Sequence, residues 1–278
     1  VQEQATTNWA AATAGTLVST TNCFSYSADF PGASFRFVQW CVPAGGGTHF
    51  RGEYDGFGFE SKPFFDDCQF FGGEILAYNT GPSFRNCLFD RVQMSVYSAT
   101  SDFRNCTFHG GNWVVDGTYG SHNAFDNLFY ETTVDSNFFG VNNHHNGYLT
   151  TQSRLSPNAT NDIILTSLSF ETGPLGRFYL PASCPLINTS SVPNASTVGM
   201  FHRTTTTNQW KETNSVLDCG FHYIATGTNG LPADADGDGI PDYEEDANND
   251  GVADGVELSW LTFQSDRGCP EPARICPD

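Results

Sequence analysis

A short motif recurs at a fixed interval in the first half of the chain. The copies are FDDCQF at 65–70, FRNCLF at 84–89 and FRNCTF at 103–108. Their cysteines lie 19 residues apart, and a degenerate fourth copy, FDNLFY, occupies 125–130. Apolar residues also stand seven and nine positions after each cysteine. This alternation inside a longer repeat predicts short β-strands that recur once per repeat.

The interval predicts an all-β solenoid in which each repeat forms one coil. A single coil cannot bury its own apolar face, so coils must stack at the ~4.8 Å spacing of neighbouring strands. Leucine-rich repeats have a similar length, but their regular leucines are missing from this sequence. Three columns of equivalent residues are predicted: aromatic Phe65, Phe84, Phe103 and Phe125; apolar Cys68, Cys87, Cys106 and Leu128; and polar Asp67, Asn86, Asn105 and Asn127.

The repeated cysteines admit two interpretations. A column of buried free thiols is favoured, because cysteine often acts as a small apolar residue. Disulfides between adjacent coils are also compatible with the stacking distance, although a column of three cannot pair completely.

Composition indicates the setting and the partners. The chain has a formal net charge of −19 and only 12 basic residues. This balance argues against a nucleic-acid groove or an anionic membrane surface and favours cationic partners such as metal ions. No apolar run approaches the roughly 20 residues that span a bilayer. The first residues, VQEQATTNWA, contain no signal-peptide pattern, so we expect a mature chain whose signal peptide has been removed.

Nine cysteines and four Asn-x-Ser/Thr sequons favour a secreted, extracellular or cell-surface protein. The candidate glycosylation sites are Asn105, Asn158, Asn188 and Asn194.

Two later segments carry a resemblance to a known group. Residues 184–191 read CPLINTSS, and residues 216–223 read VLDCGFHY. The pair resembles segments of large secreted bacterial right-handed parallel β-helix proteins of the pectate-lyase-like superfamily. The resemblance covers roughly residues 60–258 and implies a right-handed parallel β-helix.

Two cysteines depart from that family pattern. Cys184 and Cys219 stand where the family usually has serine and isoleucine, on segments expected to be neighbouring strands. The resemblance therefore implies a Cys184–Cys219 disulfide. Closeness in sequence suggests Cys269 with Cys276 as a second pair, and Cys23 with Cys41 as a third.

A tandem acidic motif carries the most specific chemistry. Residues 234–257 contain two consecutive twelve-residue copies of the calcium-loop pattern, with oxygen ligands at positions 1, 3, 5, 7, 9 and 12 and glycine at position 6. The first predicted Ca²⁺ site uses Asp234, Asp236, Asp238, the Ile240 carbonyl, Asp242 and Glu245. The second uses Asp246, Asn248, Asp250, the Val252 carbonyl, Asp254 and Glu257.

The two copies adjoin directly, so no helix fits between them. The arrangement resembles the thrombospondin type 3 and dockerin-like calcium repeats of secreted proteins. We expect a rigid spacer that folds when it binds calcium. The alternative is an acidic disordered linker that binds no metal.

These features predict four regions: an N-terminal cap or strand-exchange segment (1–20), the β-helix (21–228), the calcium loops (229–258) and a cysteine-containing tail (259–278). The expected function is a non-enzymatic structural or adhesive protein that self-associates, with a filament as one form of assembly. The alternative is a β-helix that binds or cleaves polysaccharides. Candidate glycan-binding aromatics are Trp9, Trp40, Trp113, Trp210, Tyr78 and Tyr97.

A catalytic site has less support from the sequence. Lysine occurs only at Lys62 and Lys211, and neither lies in a recognisable lyase context. Arg85 and Arg104 would stack near Asp66 and Asp126, but alternating charges along a solenoid edge are typical of a solvated face.

Overall fold

The computed structural model describes residues 34–42, 47–53, 63–78, 80–97, 100–116, 120–135, 141–155, 158–255 and 257–263. The coil strands are β1 Ser34–Arg36, β2 Gln39–Cys41, β3 Thr48–Glu53, β4 Phe64–Asp66, β5 Gln69–Phe71, β6 Glu74–Tyr78, β7 Ser83–Arg85, β8 Leu88–Asp90, β9 Gln93–Tyr97, β10 Ser101–Arg104, β11 Thr107–His109, β12 Asn112–Asp116, β13 His122–Phe125, β14 Leu128–Tyr130, β15 Thr133–Val134, β16 Val141–His144, β17 Gly147–Leu149 and β18 Ile163–Leu165. Within this described part, no helix is long and apolar enough to cross a bilayer.

The strands form three parallel sheets, and each coil contributes one strand to each sheet. The sheet orders are β1-β4-β7-β10-β13-β16, β2-β5-β8-β11-β14-β17-β18 and β3-β6-β9-β12-β15. Five complete coils therefore run from β1 to β15, and β16 and β17 begin a sixth. This confirms the predicted all-β solenoid and its parallel β-helix architecture.

Two aromatic ladders fill the core. Successive rings in each ladder are nearly parallel, as stacked coils require. The first contains Phe35, Phe65, Phe84 and Phe103, with centroids 4.8–5.4 Å apart. The second contains Trp40, Phe70, Phe89, Phe108, Phe129 and Tyr148, with centroids 4.7–5.8 Å apart. Rings of the two ladders also meet edge to face, as Phe84 and Phe89 do at 5.2 Å, which is a favourable geometry for aromatic pairs.

The apolar positions after each cysteine follow the predicted alternation. Ile75, Met94 and Trp113 lie in one parallel column, and Ala77, Val96 and Val115 lie in another. All six side chains are buried. The third sheet therefore closes the core against the two aromatic ladders.

The predicted register is wrong in the fourth copy. Phe103 pairs with Ala124, whereas Phe125 pairs with Arg104, whose guanidinium carbon lies 4.7 Å from the Phe125 ring centroid. Leu128 pairs with Thr107 and not with Cys106. The fourth copy thus begins one residue earlier than the sequence suggested.

Asn127 takes the position that Leu128 was predicted to fill in the cysteine column. Its Nδ2 donates to the Phe103 carbonyl at 3.0 Å, much as the Cys87 thiol donates to the Phe65 carbonyl at 3.2 Å. Asn146 continues the pattern by donating to the Ala124 carbonyl at 2.7 Å. The column therefore selects side chains that can donate to the preceding coil.

The polar turn column has left-handed backbone throughout. The residues with φ between 49° and 62° are Asp67, Asn86, Asn105, Asp126 and His145. Asp126 therefore replaces the predicted Asn127 in this column. Asparagine and aspartate tolerate this backbone region better than most residues.

After β18 the chain turns back over the outside of the coils. It forms two antiparallel pairs, β19 Glu171–Gly173 with β20 Gly176–Tyr179, and β21 Arg203–Thr204 with β22 Tyr223–Ile224. The coils end well before the boundary at residue 228 that the sequence predicted. Residues 219–222, here called the strap, contact four successive coils at or beside the turn column: Cys219 at His145, Gly220 at Asp126, Phe221 at Thr107 of β11 and His222 at Asn86.

Candidate metal centre

The first acidic loop brings its carboxylates together. One oxygen from each of Asp234, Asp236 and Asp238 lies within 4.8 Å of the others. The Asp234 carboxylate accepts hydrogen bonds from the amides of Gly237 and Gly239, at 2.8 and 3.0 Å. Gly239, at position 6, has φ 94°, a left-handed conformation that favours glycine. The tight turn therefore places the acids of positions 1, 3 and 5 around one point.

Several oxygens of this loop are buried without a hydrogen-bond partner. They are Oδ2 of Asp236, Oδ2 of Asp238 and both carboxylate oxygens of Glu245. Glu245 is only 1% exposed. Burial raises the pKa of Glu245 to about 7, and the negative charges of Asp236 and Asp238 add to that shift. Buried carboxylate oxygens with no donor are costly unless a cation binds them.

These oxygens fit the chemistry of a calcium ion. Ca²⁺ takes six to eight hard oxygen ligands, usually with a bidentate glutamate at position 12. Glu245 occupies that position, and its two free oxygens match the bidentate role. Asp234, Asp236, Asp238, the Ile240 carbonyl and Glu245 would hold the ion.

Asp242, at position 9, is engaged elsewhere. Its Oδ2 lies 2.5 Å from Nζ of Lys211, and its Oδ1 accepts from the Ala235 amide at 2.6 Å. Position 9 often reaches the ion through a water molecule, so this arrangement is compatible with the loop pattern. Sequence analysis did not identify Lys211 as a partner of the loop.

The second loop is organised differently. Asp246 accepts from the amides of Asp250 and Gly251, at 3.1 and 2.7 Å. Glu257 turns back onto the loop and accepts from the Asn248 amide at 2.9 Å. Among the described residues of this loop, no carboxylate oxygen is buried without a partner. Unpartnered, buried carboxylate oxygens are therefore found in the first loop and not among the described residues of the second.

Position 6 of the second loop packs directly on a neighbouring ring. Gly251 has φ 85°, and a Cβ there would lie 2.3 Å from the Phe201 ring. The Phe201 amide donates to the Asn249 carbonyl at 3.0 Å. Glycine is thus required both by the loop turn and by the contact.

A series of side-chain contacts through Lys211 and His202, which precede the loops in sequence, connects the first loop to the second. Lys211 contacts Asp242, and its Nζ also lies 3.2 Å from Nδ1 of His202. Nε2 of His202 lies 2.8 Å from Oδ2 of Asp246. Burial, together with the charge of Lys211, lowers the pKa of His202 to about 3. The neutral ring therefore donates through Nε2 and accepts from Lys211 through Nδ1.

A single helical turn, α1 Asp242–Glu245, lies inside the first loop, and no helix separates the two loops. Its Tyr243 is buried and meets the Phe37 ring edge to face at 5.6 Å. Nearby, Arg203 pairs with Asp67 of the second coil at 2.9 Å. The loops are consequently docked on the side of the first coils.

The catalytic alternative has a candidate cluster at Asp126, His144 and His145. However, both carboxylate oxygens of Asp126 accept hydrogen bonds from Ser191, from its amide at 2.5 Å and from its hydroxyl at 2.6 Å. His145 contacts both His144 and Asn161. These side chains fasten the returning chain to the coils. Arg85 pairs with Asp66, and Arg104 pairs with Asp102, as expected of a charged face.

The described cysteines are all free thiols. Cys184 and Cys219 belong to one buried cluster, but they form no disulfide. Cys41 is exposed, and its predicted partner Cys23 lies outside the described residues, as do Cys269 and Cys276.

The four sequons differ in exposure. Asn158 and Asn188 are exposed, and Asn194 is half-buried at the start of a 3-10 helix, Ala195–Val198. Asn105 is 4% exposed, and its Nδ2 donates to the Asp218 carbonyl at 3.2 Å. Glycosylation at Asn105 therefore conflicts with the fold.

The candidate glycan-binding aromatics also separate by burial. Trp40 and Trp113 lie in the core, whereas Trp210 is 76% exposed. Tyr78 and Tyr97 form an outward-facing pair with centroids 6.2 Å apart. Trp9 lies outside the described residues.

No protein-family model, no curated protein and no solved structure matches this chain. The resemblances to pectate-lyase-like β-helices and to thrombospondin type 3 or dockerin-like repeats therefore rest on the quoted residues alone.

Proposed function

We propose that this protein is a secreted structural or adhesive β-solenoid whose C-terminal loops bind calcium. The observation that carries the proposal is the set of buried, partnerless carboxylate oxygens on Asp236, Asp238 and Glu245. Their chemistry calls for a hard cation. The geometry supports the first loop as the tighter of two calcium sites, because the described residues of the second loop leave no buried carboxylate oxygen without a hydrogen-bond partner.

In this proposal, calcium stabilises the docking of the loops on the preceding chain and does not switch the protein between two conformations. The loops contact the preceding chain through Lys211, His202 and Phe201. An ion that neutralises the first loop removes the repulsion among its acids and so stabilises this docking. A ligand that binds only the folded state at a hundred times its Kd adds about 2.7 kcal/mol of stability.

Self-association is the second part of the proposal. The edges of a solenoid must be capped or paired, and a second copy can supply that pairing. The abundance of stacked aromatics and the absence of an evident catalytic constellation in the described residues favour a scaffold over an enzyme. A filament of stacked chains is the form of assembly that we propose.

Glycan binding is the alternative that the exposed aromatics favour. Trp210 and the Tyr78–Tyr97 pair are outward-facing rings of the kind that stack on sugars. Polysaccharide cleavage has less support, because Asp126 is saturated by Ser191.

Calorimetry and light scattering on one preparation of the full chain test this proposal. We expect calcium binding at the first loop, a higher melting temperature in calcium than in chelator, and large ordered particles in calcium by electron microscopy. A chain that binds no calcium contradicts the metal assignment. A calcium-indifferent monomer contradicts the structural role and directs the work to glycan arrays and assays for unsaturated or reducing-end products.

A further inference from the structure

A second group of possible metal ligands lies away from the acidic loops, in the chain that returns over the coils. Glu212, Asp218 and His222 place one ligand atom each within 4.8 Å of one another. Their exposures are 5%, 4% and 1%. The three residues span only eleven positions, but the returning chain has to fold on itself to bring them together.

The His222 ring is the unusual member of this group. Neither Nδ1 nor Nε2 has a hydrogen-bond partner, although the ring is fully enclosed. Nε2 lies 3.4 Å from Oε1 of Glu212. The backbone of His222 is fixed by the Asn86 side chain, which accepts from its amide at 2.7 Å and donates to its carbonyl at 2.9 Å. The third coil thus fixes the backbone of His222, and its ring, which has no hydrogen-bond partner, lies beside the carboxylates.

Both carboxylates are oriented by further polar groups. Oδ1 of Asp218 accepts from the Asn188 amide at 2.6 Å, and Oδ2 accepts from the Thr205 hydroxyl. Oε2 of Glu212 accepts from the Ser215 hydroxyl at 3.2 Å, which leaves Oε1 facing His222. Outer hydrogen bonds of this kind aim metal ligands and fix their direction.

The group also needs positive charge. Asp218 and Glu212 are two buried carboxylates that lie together in this cluster. Among the described residues, the nearby cations are committed elsewhere, since Arg203 pairs with Asp67 and Lys211 pairs with Asp242. Apart from His222 itself, the two buried carboxylates have no cationic partner among the described residues, and buried acids without one are costly.

We propose that Glu212, Asp218 and His222 bind a divalent transition-metal ion, zinc foremost, at a site chemically distinct from the calcium loops. An imidazole nitrogen with two carboxylate oxygens suits zinc, whereas calcium prefers oxygen ligands alone. The ion neutralises the two carboxylates and binds a ring nitrogen of His222 that has no hydrogen-bond partner.

The position of the site indicates a structural role. His222 is the last residue of the strap, and the Asp218 carbonyl accepts from Asn105 on the fourth coil. A metal bound here joins Glu212 to Asp218, which directly precedes the strap, and to His222, its last residue. It therefore holds the strap on the turn column of the coils.

The test is metal analysis of the full chain, expressed in medium containing zinc or cobalt and purified in excess calcium, which fills the acidic loops. We expect about one retained equivalent of zinc per chain, and visible absorption bands from the cobalt form, as a site of low coordination number gives. His222→Gln and Glu212→Gln should each lower the retained metal at least about tenfold.

His122→Gln is the matched control, because His122 is also fully buried but lies in β13 on the fifth coil, where its ring bonds Ser101 and is not part of this cluster. It should leave the metal content unchanged. Wild-type protein that retains no zinc or cobalt overturns the proposal and identifies the cluster as a buried histidine–carboxylate ion pair. Equal retention by wild type and His222→Gln also overturns it, and Glu212→Gln decides the question if His222→Gln does not fold.

Discussion

The coils and the first acidic loop both bury polar groups at tight turns, but they satisfy them by opposite means. In the coils, Cys87 and Asn127 each donate to a carbonyl of the preceding coil. In the loop, Asp236 and Glu245 carry acceptors only, and several of these have no donor. The comparison teaches that this column of the coils is satisfied by the chain itself, whereas the loop leaves carboxylate oxygens that the proposed calcium ion would bind.

The largest expected effect concerns the coils. Phe89 is 1% exposed and is stacked between Phe70 and Phe108 at 5.1 and 4.7 Å. Phe89→Ala should lower the free energy of unfolding by about 3–5 kcal/mol, because it leaves a cavity in the ladder. Denaturant unfolding should give the same loss in calcium and in chelator.

Phe64→Ala is the control for that change, since Phe64 is 46% exposed. We expect it to change stability by less than about 1 kcal/mol. If calcium rescued Phe89→Ala, the coils would not be independent of the metal and the contrast would fail.

The next effect concerns the loop. Glu245→Gln removes one charge and one ligand oxygen from the predicted position 12, so calcium affinity at the first site should fall about a hundredfold, or about 2.7 kcal/mol. Calorimetry measures this directly. Glu244→Gln makes the same chemical change at the adjacent exposed residue and should leave the affinity unchanged. Equal losses in the two variants would show that net charge, not ligation, governs binding.

Acid should weaken the coils through His49. Burial lowers the pKa of His49 to about 4, so the folded protein keeps the ring neutral while the unfolded chain takes up a proton below its ordinary pKa of 6.5. Stability attributable to His49 is therefore intact above pH 6.5 and declines as the pH falls towards 4.

Between neutral pH and the lower end of that window, wild type should lose about 2 kcal/mol more than His49→Gln. The glutamine amide can still donate to the Gly72 carbonyl, which His49 contacts, but it does not titrate. Unfolding curves measured at both pH values for the two proteins give the difference. Parallel losses would assign the acid sensitivity to the carboxylates instead.

The smallest effect is expected at the surface. Trp210 is 76% exposed, so Trp210→Ala should change the free energy of unfolding by less than about 0.5 kcal/mol. Its effect on binding is the informative quantity. Loss of binding on a glycan array, with stability unchanged, would favour the adhesive alternative over a purely structural role.

The local sequence pattern predicted the register of the three cysteine copies, on the second to fourth coils, and failed at the degenerate copy on the fifth coil. The columns at Phe84 and Cys87 followed from a constant interval of 19 residues. From Cys106 to Asn127 the interval is 21 residues, and a phenylalanine happens to stand one position late, at Phe125. Alignment by residue type therefore chose the wrong register, which the coil geometry corrected.

At the candidate sites, too, the sequence predicted what lies within one short segment but not the contacts between distant segments. The twelve-residue spacing predicted the ligand positions of the first loop, because one tight turn supplies nearly all of them from a single segment. It could not predict that Asp242 would bind Lys211, since that contact joins residues 31 positions apart. Glu212, Asp218 and His222 also carried no recognisable motif, because their spacings of six and four residues match no recurrent metal-binding pattern.

The sequence by itself determined the coil, the stacked aromatics and the calcium-loop pattern, because each depends on interactions within one repeat or between identical neighbours. Only the tertiary structure decided where the returning chain lies, which oxygens are left without donors, and which imidazole is left bare. Those properties depend on burial, and burial is set by segments that meet across the fold rather than along the chain.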